Sequence, residues 1–238
     1  MTVTVNDIKN LHTTWPLPKK KKKIIIIGAG GIVKDAHLPA YHKGGFDVHG
    51  IYDPCTKKAR ECAKAFNINR VYLDITEALA EKDKIFDIAV PPSELLSVVK
   101  KLPKNSICQL QKPLGNNLIE AHQIAEVIAR NNITACVNLQ LKFSPMMLAL
   151  KNAIEKEMIG QITDIEVNLS VSTPWHLWPF METLDDIEVP LHSIHYLDWI
   201  ISILGEPSGV FCKSVAHPRF PKMNDSRSSI ILDYNSIR

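Results

Sequence analysis

Gly28, Gly30 and Gly31 directly follow the apolar run Ile24-Ile25-Ile26-Ile27, and Asp53 closes the next apolar run, Val48–Tyr52. Residues of these types at this spacing suit the binding of a dinucleotide. The first glycine permits a tight turn, the second lets backbone approach a pyrophosphate, and the helix opened after Gly31 and Ile32 offers free N–H groups and a partial positive charge. Asp53 is expected at the adenosine ribose, where its carboxylate accepts from the hydroxyls and repels a 2′-phosphate. That favours NAD, while Lys57 and Lys58 follow closely enough to leave NADP open. Val33 stands where a third glycine or alanine would let helix and strand pack closely.

A second set of chemistry-bearing residues lies far along the chain. His192, His195 and Asp198 recur every third position, which puts the two rings on neighbouring positions of one helix face. Imidazole titrates near neutrality and suits acid/base work, although a core histidine is an equal reading of His192. The spacing is also metal-like, but no second cluster of ligands completes four-coordination, and no metal is expected. Trp175, His176 and Trp178 fall in the Pro-containing stretch before these histidines. Aromatic faces and polar edges suit a sugar ring, and tryptophans that anchor a loop by packing explain the same residues.

The elements that must position these residues alternate. Strand-like runs at Ile24–Ile27, Val48–Tyr52, Phe86–Val90, Ile107–Leu110 and Ile133–Val137 are short and apolar. Helical patterns at Ile32–Tyr41, Lys57–Phe66, Thr76–Glu81, Ser93–Lys101 and Leu118–Arg130 lie between them, with N-caps at Asp74 and at Asn116 or Asn117. This βαβ alternation predicts a doubly wound parallel sheet with its ligand at the C-terminal strand ends. After Phe143 the pattern changes. A helix at Met146–Glu157 precedes Thr163–Ser172, whose alternating Ile165, Val167, Leu169 and Val171 predict a strand with one wet face. A helix at Leu191–Leu204 and strands at Gly209–Val215 and Ser229–Tyr234 follow.

Composition narrows the classes. The 28 basic residues outnumber the 25 acidic ones only through the Lys19–Lys23 run, so the body is slightly acidic and has no nucleic-acid footprint. The lysine run reads as a solvated lead-in, with a localisation or polyanion-binding patch as the alternative. Cys55, Cys62, Cys108, Cys136 and Cys212 form no CxxC pair, which fits reduced thiols. No segment approaches the roughly 18 apolar residues of a membrane span, and a soluble cytoplasmic protein is expected.

Several separated motifs agree further. They are the glycine turn, Asp53-Pro54, Pro91-Pro92, Gln111-Lys112-Pro113-Leu114, the stretch Asn138-Leu139-Gln140-Leu141-Lys142-Phe143-Ser144-Pro145, and the helix His192-Ser193-Ile194-His195-Tyr196-Leu197-Asp198 closing with Leu204-Gly205-Glu206-Pro207. With these the chain resembles the Gfo/Idh/MocA family of nicotinamide-dependent oxidoreductases from about Lys22 onward. The resemblance implies an N-terminal Rossmann domain holding NAD or NADP and a C-terminal α/β domain with an open, mainly antiparallel sheet. That sheet forms the substrate face and often the oligomer interface, so a homo-oligomer is expected. It implies sugars, sugar acids or cyclic polyols as substrates. The corresponding boundaries are an irregular leader over 1–18, a dinucleotide-binding domain over 19–143 and a substrate domain over 144–238 that is shorter than usual.

Site roles follow from the resemblance residue by residue. Gly28, Gly30, Gly31 and Ile32 fall at the phosphates, Asp53 at the ribose, Pro91 and Pro92 along the path to the nicotinamide, and Gln111, Lys112 and Asn138 near its ring. Lys112 stabilises a developing alkoxide and shares the proton transfer, helped by a lowered pKa. His195 is its acid/base partner, with His192, and Gln140, Trp175 and His176 join Lys112 and the two histidines around the substrate. Two positions depart from the family pattern. Gln111 replaces a glutamate, and Leu191 replaces the aspartate four residues before His195, a duty that His192 or Asp198 is expected to share. These losses sustain a second reading, a cofactor-binding sensor or regulator without turnover.

Overall fold

In the computed structural model, residues 3–220 and 222–237 are described, apart from the side chains of Trp175, Pro179 and Thr183. By its contacts the chain divides into two units, Leu17–Asn138 and a second made of Met1–Pro16 with Leu139–Arg238. The leader, expected to be irregular, carries one short helix, α1 (Val5–Lys9). The Thr4 hydroxyl accepts from the Asp7 amide and the Asp7 carboxylate accepts from the Thr4 amide, so a capping box opens it. A backbone-to-side-chain bond then ties the leader to its own unit, as His12 N–H donates to Asn152 Oδ1 at 3.1 Å.

The unit Leu17–Asn138 is built on six parallel strands. Its elements run β1 (Lys23–Ile27), α2 (Leu38–Lys43), β2 (Val48–Tyr52), α3 (Thr56–Phe66), β3 (Val71–Tyr72), α4 (Ile75–Leu79), β4 (Lys84–Ile88), α5 (Pro92–Lys101), β5 (Ile107–Leu110), α6 (Leu118–Arg130) and β6 (Thr134–Val137). The strand order β3-β2-β1-β4-β5-β6 reverses beside β1, which is the topological switch of a dinucleotide fold. Alternate side chains of β1 feed two cores. Ile25 and Ile27 pack with Phe86, Ile88, Leu95 and Leu110 on one face, and Ile24 and Ile26 with Val33, Leu38 and Ile51 on the other. All four isoleucines are buried, and each contributes about 1.5–3 kcal/mol to holding helices on both faces. Asp74 and Asn117 cap α4 and α6 as their spacing predicts, accepting from Thr76 N and Glu120 N. The two-residue edge strand β3 is too short for an apolar period to reveal.

The second unit adds α7 (Pro145–Glu155), α8 (Ile194–Leu204) and an antiparallel pair, β7 (Gly209–Val215) with β8 (Arg227–Asp233), in which Phe211 faces Ile231. The predicted strand at Thr163–Ser172 does not form. Residues 163–172 carry neither helix nor strand, because alternation makes a strand only where an edge offers a hydrogen-bonding ladder. Val210, Phe211 and Ile231 are exposed on the pair.

Candidate cofactor and catalytic site

The strand ends of the first unit carry the glycine turn. Gly28 sits at φ +107°, and a Cβ there would stand 2.3 Å from the Ala89 carbonyl oxygen, so no other residue fits between β1 and the exit of β4. Gly30 is the reverse case. A side chain there would meet no atom within 4 Å, and Gly30 and Gly31 are both exposed, which leaves the room that a pyrophosphate needs. Val33 and Lys34 N–H both donate to the Gly30 carbonyl, and residues Val33–His37 continue as a π-helical turn into α2. Val33, the bulky residue at the third position of the motif, is fully buried among Ile24, Ile26 and Ile51.

Asp53, half-buried beyond β2, is fixed by the backbone. Its Oδ2 accepts from Ala29 N–H at 2.8 Å and its Oδ1 from Cys55 N–H at 2.8 Å. Each oxygen keeps a further lone pair for a ribose hydroxyl. Pro91 is exposed while Pro92 is buried as the first residue of α5. Gln111 follows β5 and donates its backbone N–H to Ile88 at 3.0 Å, and Asn138 follows β6 and donates to Leu110 at 2.8 Å. The two side chains meet, with Asn138 Nδ2 donating to Gln111 Oε1 at 3.0 Å. Lys112 precedes a cis proline, and burial pushes its ammonium below the ordinary lysine range. Every cofactor residue named from the sequence thus lies at the C-terminal end of a strand in this unit.

Behind them is a buried polar cluster that the sequence did not reveal. Asp87, wholly buried in β4, accepts from His37 Nδ1 at 2.8 Å and from the Tyr41 hydroxyl at 2.9 Å. Burial, then the neighbouring Asp87 charge, push the Tyr41 phenol well above its usual value and keep it a donor. A polar residue inside an apolar strand run, here Phe86-Asp87-Ile88, was the available signal.

In the second unit, His192 lies in a π-helical turn over Val189–Ser193, and His195 lies in the first turn of α8, both half-buried. His192 Nε2 is 3.4 Å from Thr173 Oγ1. Asp198 is engaged by Lys142 Nζ at 3.1 and 3.0 Å through its two carboxylate oxygens. Leu191 is buried with Met181, Leu184, Ile187 and Met223, so the position that departs from the family pattern is part of an apolar core. Gln140 and His176 are exposed, and the Trp175 side chain lies outside those described. Among the described residues no three His, Cys, Asp or Glu side chains are grouped to hold a metal ion. A cavity of about 770 Å³ between residues 164–173, α8 and β8 reaches His192, and its walls mix aliphatic side chains such as Ile165, Leu197 and Ile200 with polar ones such as Glu188, Tyr196 and Arg227.

Residues 22–139 match the family described as an oxidoreductase family with an NAD-binding Rossmann fold. Through them the chain belongs to the Gfo/Idh/MocA oxidoreductases. Among curated relatives, D-apiose dehydrogenase of Paraburkholderia graminis is 26% identical over 161 residues, 66% of this chain and 43% of that protein. The protein YMR315W of Saccharomyces cerevisiae is 26% identical over 201 residues, 76% of this chain and 55% of that one. The chain therefore matches about half the length of these relatives. An Agrobacterium radiobacter oxidoreductase crystallised with NAD+, L-tartaric acid and magnesium shares the fold, with a TM-score of 0.74 at 20% identity over 91% of this chain and 64% of that one. The strand-end residues fit the dinucleotide that defines the Gfo/Idh/MocA family. Gly30 and Gly31 leave space for its phosphates, and Asp53 offers acceptors where an adenosine ribose binds in this fold. Among the described residues no helix is long and apolar enough to cross a membrane.

Proposed function

We propose that this protein is a nicotinamide-dependent dehydrogenase or reductase acting at a hydroxyl or keto carbon of a sugar, sugar acid or cyclic polyol. The observation that carries the reading is the place of Lys112, a half-buried lysine just beyond the C-terminal end of β5, the same end of the sheet as the open glycine turn. Bound there, NAD supplies a hydride acceptor or donor. Lys112, with its ammonium disfavoured by burial, is more often the neutral amine than a surface lysine is, and so can accept a hydroxyl proton. His195 is assigned as acid/base partner, with His192 beside it. Gly28, Gly30, Gly31, Ile32, Asp53, Pro91, Pro92, Gln111 and Asn138 are assigned to the cofactor, and Gln140, Trp175 and His176 to the substrate. Exposed Val210, Phe211 and Ile231 support a homo-oligomer through the second unit's sheet, which light scattering tests.

The experiment is a panel of sugars, sugar acids and polyols with NAD(H) and NADP(H), run on the wild type and Lys112→Ala. Turnover that disappears in the variant while cofactor affinity persists supports the assignment. Absence of turnover with every substrate, beside firm NADH binding, favours the second reading, a sensor without catalysis. The burial of Leu191 in a core, where the pattern has an ionisable aspartate, is the observation on that side.

A further inference from the structure

Asp87 lies in the middle of the sheet with no part in the chemistry proposed above, yet it begins a continuous chain of hydrogen bonds that ends at Gln111. Its Oδ2 faces His37 Nδ1 and the Tyr41 hydroxyl, and its Oδ1 faces Gln109 Nε2 at 3.4 Å. A carboxylate ringed in this way accepts throughout, so the His37 proton on that side sits on Nδ1. The opposite ring atom, Nε2, faces Asn138 Nδ2 at 3.3 Å, and the tautomer with its single proton on Nδ1 lets it accept from that amide. The same Asn138 nitrogen donates to Gln111 Oε1 at 3.0 Å.

Each link fixes the next. An isolated glutamine amide can exchange its two ends by rotation at little cost. Here the carbonyl end of Gln111 is committed to Asn138, whose own amide end is committed by His37, whose tautomer is committed by Asp87. The NH2 end of Gln111 is left for a ligand.

Given the dehydrogenase reading above, on which this rests, we propose that His37 and Asn138 are positioning residues that hold Gln111 with its NH2 toward the bound nicotinamide end of the cofactor. The site beside Lys112 thereby offers a hydrogen-bond donor and no negative charge, where the family motif carries a carboxylate.

NADH and ADP-ribose separate this role from a structural one, because they share the adenosine and phosphate end and only NADH carries the ring. Both are titrated calorimetrically against the full chain, Asn138→Ala and His37→Asn. The second variant keeps an amide donor near Asp87 and removes the ring nitrogen that holds Asn138. Should it fail to fold, Asn138→Ala, at a half-buried loop position, carries the test. Each folded variant is expected to bind NADH about five- to tenfold more weakly, the size of one lost hydrogen bond, with ADP-ribose affinity within about twofold of wild type. Parallel weakening of both ligands makes the chain a structural brace and overturns the proposal, as does unchanged NADH affinity. A wild type that takes up neither ligand is a different result, and it removes the dehydrogenase reading together with this one.

Discussion

Asp53 is hydrogen-bonded through its Oδ2 to the amide of Ala29, at 2.8 Å, and so clamps the end of β2 to the glycine turn that follows β1. The carboxylate expected at the ribose therefore has a second task. Asp53→Asn leaves one backbone N–H facing an amide NH2, and an unsatisfied donor of this kind costs about 1–3 kcal/mol. The expected outcome is a lower melting temperature and weaker NADH binding. NADPH binding falls less, because repulsion of the 2′-phosphate is relieved at the same time. Parallel fluorescence titrations with the two cofactors check this, and an equal fall for both would leave the clamp as the residue's whole role.

The glycine turn separates folding from binding within three residues. Gly28→Ala drives a Cβ into the Ala89 carbonyl at a φ that disfavours it, and a strained backbone of this sort costs about 1–3 kcal/mol before the collision is counted. Gly30→Val meets only open space, so the melting temperature stays near wild type. NADH affinity is expected to fall in both, and the pair is checked by thermal melts beside calorimetric titration. A Gly30→Val protein that still binds NADH at wild-type strength would place the phosphates elsewhere.

The doubly wound sheet was legible because β1 writes its burial on both faces as an unbroken apolar run and because Asp74 and Asn117 announce their helices. The same pattern located Gly30 and Asp53 at strand ends, while Gln111 and Lys112 were singled out through the family resemblance. The chain from Asp87 to Gln111 was not legible. Its members lie at positions 37, 87, 111 and 138, and only the pairing of β1 with β4, β4 with β5 and β5 with β6 brings them side by side. Alternation misled at Thr163–Ser172 for a related reason, as periodicity records which side chains share a face and says nothing of whether a partner strand is present.

Lys112 should trade stability for chemistry. Burial holds its folded pKa below the ordinary 10.5, so between those two values the unfolded chain binds a proton that the folded chain does not. The penalty is complete below the folded pKa and fades as pH rises towards 10.5. Lys112→Met removes it and is expected to raise the melting temperature at neutral pH, with the gain shrinking at alkaline pH, while turnover is lost. Melts of both proteins across pH 6 to about 10.5 follow the difference. A variant less stable than wild type at neutral pH would show that the lysine's contacts outweigh its desolvation.

Asp225 offers the complementary test in the second unit. Its carboxylate is buried, and Oδ1 accepts from Ile187 N–H at 2.5 Å. Burial raises its pKa above 3.8, with the Asp186 charge adding to it and the Ile187 hydrogen bond opposing. Between 3.8 and the raised value the folded chain binds a proton that the unfolded chain has released, so stability is lost as pH climbs through that window and stays lost at neutrality. Asp225→Asn retains the acceptor for Ile187 and carries no charge. It is expected to melt higher than wild type at pH 7 and together with it near pH 3, where both side chains are neutral. Denaturation followed at the two pH values decides the matter, since a variant destabilised at pH 7 means that the ionised carboxylate gains more from its amide donors than it loses to burial.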